Sequence, residues 1–97
     1  MKEIKRILNE IRKHKTEITE AYHVKEIGVF GSYIRGEERA DSDVDILVDF
    51  EKPIDLFRFL DLEERLSELS GKKVDLVSKK ALKPYIGKEI LEEVQYL

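Results

Sequence analysis

Apolar residues recur at helical spacing near the start of the chain, and charged residues fill the positions between them. The apolar positions are Ile4, Ile7, Leu8, Ile11, Ile18 and Tyr22. Intervals of three, four and seven residues predict an amphipathic helix over residues 2–21. The pattern then changes to strand chemistry in KEIGVF, which ends at Gly31 and Ser32.

A second strand is predicted where apolar and acidic residues alternate, after a polar segment at residues 33–42. That segment contains Gly36 and predicts a short helical turn followed by a loop. In DVDILVDF, one predicted face carries Val44, Ile46, Val48 and Phe50, and the other carries Asp43, Asp45, Leu47 and Asp49.

The second half of the chain repeats helix and strand patterns. Pro53 and Asp55 precede a predicted helix that should end at Gly71, in the position of a helix C-cap. Its predicted apolar stripe is Leu56, Phe59, Leu60, Leu66 and Leu69. KKVDLVS predicts a third strand, and ALKPYIGKEILEEV predicts a broken helix that restarts at Pro84 and is interrupted by Gly87. The order predicts one α/β domain over residues 1–97, a small sheet flanked by helices.

Composition narrows the classes of protein that fit this pattern. Eighteen Lys and Arg residues against 21 Asp and Glu residues give a net charge of −3, which argues against binding nucleic acid through bulk charge. Without Cys there is no disulfide framework and no thiolate metal site. The charged start is unlike a signal peptide, and no apolar run approaches the ~20 residues of a membrane span. We therefore expect a cytoplasmic protein, and its low Asn, Gln and Met content is typical of a thermophile.

Three acidic residues, Asp41, Asp43 and Asp45, lie within five positions of one another. Strand geometry directs Asp43 and Asp45 to the same face, about 6.5–7 Å apart, whereas Asp41 precedes the strand. Carboxylates that would otherwise repel one another can share a divalent cation, and all-oxygen ligands favour Mg²⁺ or Mn²⁺. The cluster therefore predicts a cation site formed by Asp43 and Asp45.

A third carboxylate is expected beside this pair. Asp75 lies between Val74 and Leu76, so its side chain should point away from the apolar face of its strand. If the two strands are neighbours, the three carboxylates share one surface, which is the minimum for a two-metal centre that flanks an in-line phosphoryl displacement. A carboxylate there can also accept the proton of an attacking hydroxyl.

Two better-known motifs do not fit this segment. An EF-hand that begins at Asp41 needs Gly at Ile46 and Glu at Lys52, and a P-loop that begins at Gly31 needs Lys where Glu37 stands. The remaining pattern is Gly31 and Ser32 at the end of one strand, ten residues, and D-x-D on the next. Such a Gly lets the backbone approach a ligand, and the Ser hydroxyl, nearby N–H groups, Arg35 and Arg39 are candidate partners for phosphate oxygens.

The run GSYIRGEERADSDVDILV, together with KKVDLVS and the LKPYI segment, resembles the nucleotidyltransferase superfamily that includes DNA polymerase beta. It is most similar to the stand-alone minimal nucleotidyltransferases of bacteria and archaea, the MNT or MntA-like proteins. The resemblance covers essentially the whole chain and implies a polymerase-beta-like fold with a small mixed sheet. It also implies Mg²⁺-dependent transfer of AMP from ATP, with pyrophosphate leaving.

Site roles follow from the resemblance by position. Asp43 and Asp45 would be metal ligands, and Asp75 would be the third ligand and the group nearest the acceptor hydroxyl. Gly31 and Ser32 would contact the triphosphate, and Arg35 lies in the R-G element of the family. Two Mg²⁺ ions are expected, with Mn²⁺ as a substitute.

The resemblance also implies a partner. Such transferases often pair with a HEPN ribonuclease toxin, and the transferase then acts as an antitoxin that adenylylates a tyrosine of the toxin. Two alternatives stay open: a non-catalytic antitoxin that acts by occlusion, and transfer to a small molecule such as an antibiotic. The last helix carries more apolar side chains than a small domain can bury, so we expect part of it to contact another protein chain, of the same or a different kind. The sequence identifies neither the acceptor nor the nucleotide base.

Overall fold

The predicted first helix is divided in two. The structure is a computed structural model that describes residues 3–97. Two helices, α1 (Glu3–Lys13) and α2 (Lys15–Tyr22), take the place of the single predicted one. They are separated at His14, whose φ of −105° and ψ of 8° lie outside the helical range. The His14 ring nitrogen Nδ1 lies 3.0 Å from the carbonyl oxygen of Glu10, so the side chain contacts the last turn of α1. Position 2 of the predicted helix lies outside the described residues.

The remaining elements follow the predicted order, with one strand added at the end. The elements are α1 (Glu3–Lys13), α2 (Lys15–Tyr22), β1 (Val24–Phe30), α3 (Ser32–Arg35), β2 (Val44–Phe50), α4 (Leu56–Ser70), β3 (Val74–Ser78), a 3₁₀ turn (Lys79–Ala81), α5 (Pro84–Glu93) and β4 (Gln95–Tyr96). The two predicted ends of α4 are confirmed. The Asp55 carboxylate accepts the N–H of Arg58, and Gly71 adopts a φ of 70° at the C-cap.

The four strands form one mixed sheet in the order β3-β2-β1-β4. β1 is antiparallel to both β2 and β4, whereas β2 and β3 are parallel and are connected through α4. This confirms the small mixed α/β fold and the predicted neighbourhood of the second and third strands.

Alternation along β2 assigns the core to one face of the sheet. Val44, Ile46 and Val48 are completely buried, and they belong to one cluster with Ile7, Ile11 and Ile18 of the first two helices and Leu62 and Leu66 of α4. The helix stripe predicted over α1 and α2 is therefore confirmed as the side that packs on the sheet.

The stripe predicted for α4 is partly wrong. Leu66 is buried as expected, but Leu56 and Leu60 are exposed, and Leu62 takes their place in the core. Leu56 and Phe57 in the first turn of α4 are both exposed, whereas Phe59 packs against Phe50 of β2. A 3.6-residue period identifies a face, but it does not show how far the neighbouring element extends.

Gly87 does not interrupt the last helix, contrary to the prediction. Its N–H donates to the Lys83 carbonyl at 2.7 Å, and α5 continues through it to Glu93. A Cβ atom at position 87 would lie 3.1 Å from the Leu82 Cβ, so the glycine allows close packing against the residues before the helix. After the helix the chain forms β4, which the sequence pattern did not predict, and the N–H of Leu97 beyond it donates to the Ile27 carbonyl.

Side chains of α4 also bond to the backbone of β3, on the side away from β2. The Ser67 hydroxyl accepts the N–H of Val74 at 3.0 Å, and the Glu63 carboxylate accepts the N–H of Leu76 at 2.9 Å. These bonds tie the helix to the strand as well as covering it.

No helix formed by residues 3–97 is long and apolar enough to cross a membrane.

Candidate active site

Asp45 lies at the centre of the candidate site, on the face of β2 opposite the main core. It pairs with Phe30 across the antiparallel ladder and with Asp75 across the parallel one. Neighbouring strands lie about 4.8 Å apart, so the register brings the Asp45 and Asp75 carboxylates side by side. Asp75 is exposed, and Val74 and Leu76 on either side of it are buried, which agrees with the predicted orientation.

The glycine that ends β1 makes room for the Asp45 carboxylate. A Cβ atom at position 31 would lie 2.1 Å from Asp45 Oδ2, a distance at which the two atoms cannot coexist. Gly31 also has a φ of +82°, which residues with a side chain rarely adopt. Both the conformation and the space therefore require glycine here, and the Gly31 backbone lies close against the Asp45 carboxylate.

The electrostatic surroundings of Asp45 favour its neutral form. Burial raises the pKa of the Asp45 carboxyl, and the negative charges of Asp75 and Asp43 raise it further, whereas Arg35 opposes the shift. Asp43 directly precedes β2 and is half-buried, and Asp45 therefore lies within the electrostatic reach of both other predicted acids. A carboxylate cluster of this kind is stabilised when a cation binds to it.

Two other acids near this segment behave differently. Asp41 is exposed, as expected for a residue outside the site. Asp49 lies further along the same face of β2, and its Oδ1 atom is buried and accepts no hydrogen bond from residues 3–97.

Arg35, at the end of the short helix α3, points into the same region. Its guanidinium donates to Glu37 at 2.7 Å and to both carboxylate oxygens of Glu93 at 3.0 and 3.1 Å. Ser32 is half-buried, next to Gly31, whereas Tyr33 is buried and packs in the core. Arg39 is exposed, and its N–H donates to the Ser42 hydroxyl within the loop before β2.

Glu93 is a site residue that the sequence pattern did not identify. It lies in the last turn of α5, and its carboxylate accepts the Gly31 N–H at 2.7 Å as well as the Arg35 guanidinium. Its position depends on how α5 packs against the end of β1, and no spacing along the chain encodes that contact. Acidic residues are frequent throughout the chain, so its residue type carried no signal either.

A cleft of about 280 Å³ brings together Gly31, Arg35, Asp45 and Glu93. Its lining residues are Phe30, Gly31, Arg35, Asp45, Ile86, Glu89, Ile90 and Glu93. A second cavity, of about 410 Å³, lies near the other end of β2, between Phe50 and the first turn of α4, and contains none of the predicted site residues. We therefore identify the smaller cleft, which has the carboxylates at its edge, as the candidate active site.

The donor set fits a hard divalent cation, although the metal-binding arrangement is not preformed. Asp43, Asp45 and Asp75 offer only oxygen atoms, which a hard divalent cation prefers. Burial, together with the charges of Asp75 and Asp43, raises the pKa of the Asp45 carboxyl. Among residues 3–97, no three His, Cys, Asp or Glu side chains converge closely enough to form a ready metal cluster. Asp45 and Asp75 are paired across neighbouring strands, and Asp43 directly precedes β2. Their side chains would have to turn toward a shared ion to bind it together.

Comparison with known proteins places this chain in one family. Residues 11–97 match the nucleotidyltransferase domain family. The chain is 57% identical over 84 residues to the protein adenylyltransferase MntA of Thermococcus cleftensis. The aligned residues cover 87% of this chain and 85% of that protein.

Solved structures agree with the sequence comparison. A candidate minimal nucleotidyltransferase matches with a TM-score of 0.79 and 36% identity, over 93% of this chain and 92% of that one. An MNT antitoxin solved with the tri-AMPylated HEPN toxin of Shewanella oneidensis matches with a TM-score of 0.65, over 92% of this chain and 68% of that one. At 21% identity, the second likeness shows a shared fold only.

Proposed function

Because this chain belongs to the nucleotidyltransferase domain family, we propose that it is a protein adenylyltransferase that moves AMP from ATP to a hydroxyl of a partner protein. The observation that carries the proposal is the in-register pair of Asp45 and Asp75, which lies beside the cleft that Gly31 and Arg35 line. The name and the identity of the Thermococcus relative support the same activity.

The residues divide between the two ends of the reaction. Gly31, Ser32 and Arg35 would bind the triphosphate, through a backbone N–H, a hydroxyl and a guanidinium. Asp43, Asp45 and Asp75 would hold Mg²⁺, most simply as two ions, with Mn²⁺ able to replace it. The bound cations would offset charge on the phosphate oxygens of the substrate and of the departing pyrophosphate.

Asp75 has the surroundings expected of the group nearest the acceptor. It is exposed, whereas Asp43 and Asp45 are half-buried, so an incoming hydroxyl can reach its carboxylate. The acceptor oxygen would form a bond to the α-phosphorus of ATP while the bond to the bridging oxygen breaks and pyrophosphate leaves. Asp75 would accept the hydroxyl proton.

The acceptor that we propose is a tyrosine of a HEPN-type toxin, which makes this chain the antitoxin of a two-protein system. An MNT antitoxin of the same fold was solved with a HEPN toxin that carries AMP. Exposed apolar residues of α5, among them Tyr85 at 77% exposure, Ile86 and Leu91, offer a surface through which a partner or a second copy could bind.

The test is transfer of AMP by a variant that lacks two of the proposed ligands. The chain is incubated with its co-purified partner, ATP and Mg²⁺, and the intact mass of the partner is measured. Asp43→Asn combined with Asp45→Asn should abolish the added mass of AMP, because the cations lose two of three ligands. Asp41→Asn, an exposed acid of the same segment, is the matched control and should transfer normally.

Three results would contradict this proposal in different ways. Unchanged labelling by the double variant would refute the assignment of the site. Neutralisation of the partner by the double variant, without AMP transfer by either form, would favour an antitoxin that acts by occlusion. AMP transfer to an added small molecule, with none to any protein, would favour the antibiotic-type reaction.

A further inference from the structure

The Glu93 carboxylate is bound by the two groups that the proposed function assigns to phosphate. One of its oxygens accepts the Gly31 N–H at 2.7 Å, and both lie within 3.1 Å of the Arg35 guanidinium. A backbone N–H and a guanidinium that converge on one carboxylate are the donors that bind a phosphate oxygen equally well. In this structure the Glu93 oxygens therefore stand where an anionic oxygen of a ligand would be bound.

We propose that Glu93 competes with the triphosphate of the nucleotide for Gly31 and Arg35, so that ATP binds only when the Glu93 side chain turns away. This inference rests on the proposed function, because it takes Gly31 and Arg35 as phosphate ligands. It adds a residue that sets the affinity for the nucleotide although it makes no bond to it.

The geometry allows the side chain to move while the helix stays in place. Glu93 is the last residue of α5, and the chain then forms β4. Just beyond β4, the N–H of Leu97 donates to the carbonyl of Ile27 in β1. Val94 is held close to Gly28, since a Cβ at position 28 would lie 2.7 Å from the Val94 Cγ2. Because the backbone after Glu93 is fixed to β1, displacement requires a change of its side-chain rotamer and no departure of α5.

The exposure of the pair predicts a moderate competition. The Glu93 side chain is 25% exposed and that of Arg35 is 49% exposed, so water screens much of their attraction. Breaking a partly exposed ion pair of this kind, together with one additional hydrogen bond to a charged group, changes a binding constant by about threefold to tenfold. Glu93 should therefore weaken nucleotide binding by that factor and should not prevent it.

The competing groups also lie beside further negative charge. Asp45 and Glu89 line the same cleft, and the charge of Glu93 is among the causes that raise the pKa of Asp45. Removing the charge of Glu93 thus weakens its hold on Gly31 and Arg35 and also reduces the repulsion that a triphosphate meets. Both effects act in the same direction on nucleotide affinity.

The test compares Glu93→Gln with Glu92→Gln, since Glu92 is the exposed neighbouring acid of the same helix turn. Dissociation constants for ATP, inorganic triphosphate and adenosine are measured by calorimetry in the presence of Mg²⁺. We expect Glu93→Gln to bind ATP and triphosphate about threefold to tenfold more tightly than the wild-type chain. Adenosine should bind equally to all forms, because it has no phosphate to compete with the carboxylate, and Glu92→Gln should resemble the wild-type chain.

The outcomes distinguish this inference from the proposed function. Equal or weaker binding of triphosphate by Glu93→Gln, relative to Glu92→Gln, would overturn the inference and leave the proposed function intact. Absence of ATP binding by every form, with each still folded by circular dichroism, would overturn both. Equal tightening of adenosine and triphosphate would also overturn the inference, because it would point to a general opening of the cleft.

Discussion

The two faces of the sheet are built from the same strands but differ in chemistry. On the face covered by the first two helices and α4, β2 contributes Val44, Ile46 and Val48, each with no exposed surface. On the other face, β2 contributes Asp45 and Asp49 on either side of the buried Leu47, and α5 lines the cleft beside Asp45. The alternation that forms the core on one side thus presents carboxylates on the other.

The difference shows which face of the sheet stabilises this small domain and which face destabilises it. Apolar side chains on the helix-covered face gain by being removed from water, and they hold β2 in register. That register fixes the positions of Asp45 and Asp75 although their charges repel one another. The apolar face therefore determines the geometry of a site that the acidic face alone would not maintain.

Substitution on the helix-covered face should have the largest effect on stability. Ile46→Ala removes a completely buried side chain, so we expect a loss of about 2–5 kcal/mol in the free energy of unfolding. Urea denaturation followed by circular dichroism measures it. A loss below ~1 kcal/mol would mean that this face is packed more loosely than its zero exposure indicates.

Substitution at the boundary of the two faces should affect both fold and site. In Gly31→Ala the new Cβ would collide with the Asp45 carboxylate in a backbone conformation that disfavours it. We expect a loss of about 1–3 kcal/mol together with loss of AMP transfer. Gly36→Ala separates the two causes, because Gly36 also has a positive φ of 73° but has no atom within 4 Å of the added Cβ.

The matched control should keep its activity and lose about 1–2 kcal/mol, which is the cost of the left-handed backbone conformation alone. If Gly31→Ala and Gly36→Ala lose equal stability and both remain active, the close contact between Gly31 and Asp45 is not needed for AMP transfer.

Substitution on the acidic face should have the smallest effect on stability, and the opposite sign. Asp45→Asn removes a charge that faces Asp75, so we expect a gain of roughly 0.2–1 kcal/mol at neutral pH without metal, although AMP transfer is lost. Thermal unfolding of both forms measures the gain. A destabilised variant would mean that the Asp45 carboxylate accepts hydrogen bonds that outweigh the repulsion.

The pH dependence of that gain has a defined sign. The folded-state pKa of Asp45 is raised above its ordinary value of 3.8, so folding favours the protonated carboxyl. The stability associated with the proton is present at acidic pH and is lost as the pH rises through the raised pKa. The advantage of Asp45→Asn should therefore shrink as the pH is lowered through the pKa of Asp45.

The parts of this molecule that depend on local pattern were predictable from the sequence. The alternation in β2 identified Asp45 and its face, and the flanking Val74 and Leu76 did the same for Asp75. Asp55 and Gly71 gave the ends of α4, because caps are encoded by residue type.

The parts that depend on docking were not predictable. Glu93 reaches Gly31 across 62 positions of the chain, through the packing of α5. The two-residue strand β4 exists only because β1 offers it a partner. Gly87 suggested an interruption, but its lack of a side chain serves a close contact with Leu82.

The bonds from α4 to the backbone of β3 have a consequence for aggregation. A strand at the border of a sheet offers unpaired N–H groups to strands of other molecules. Here the outward N–H groups of Val74 and Leu76 are already bonded to Ser67 and Glu63. The carboxylate pair thus lies next to a sheet border that cannot recruit strands of other molecules through these two groups.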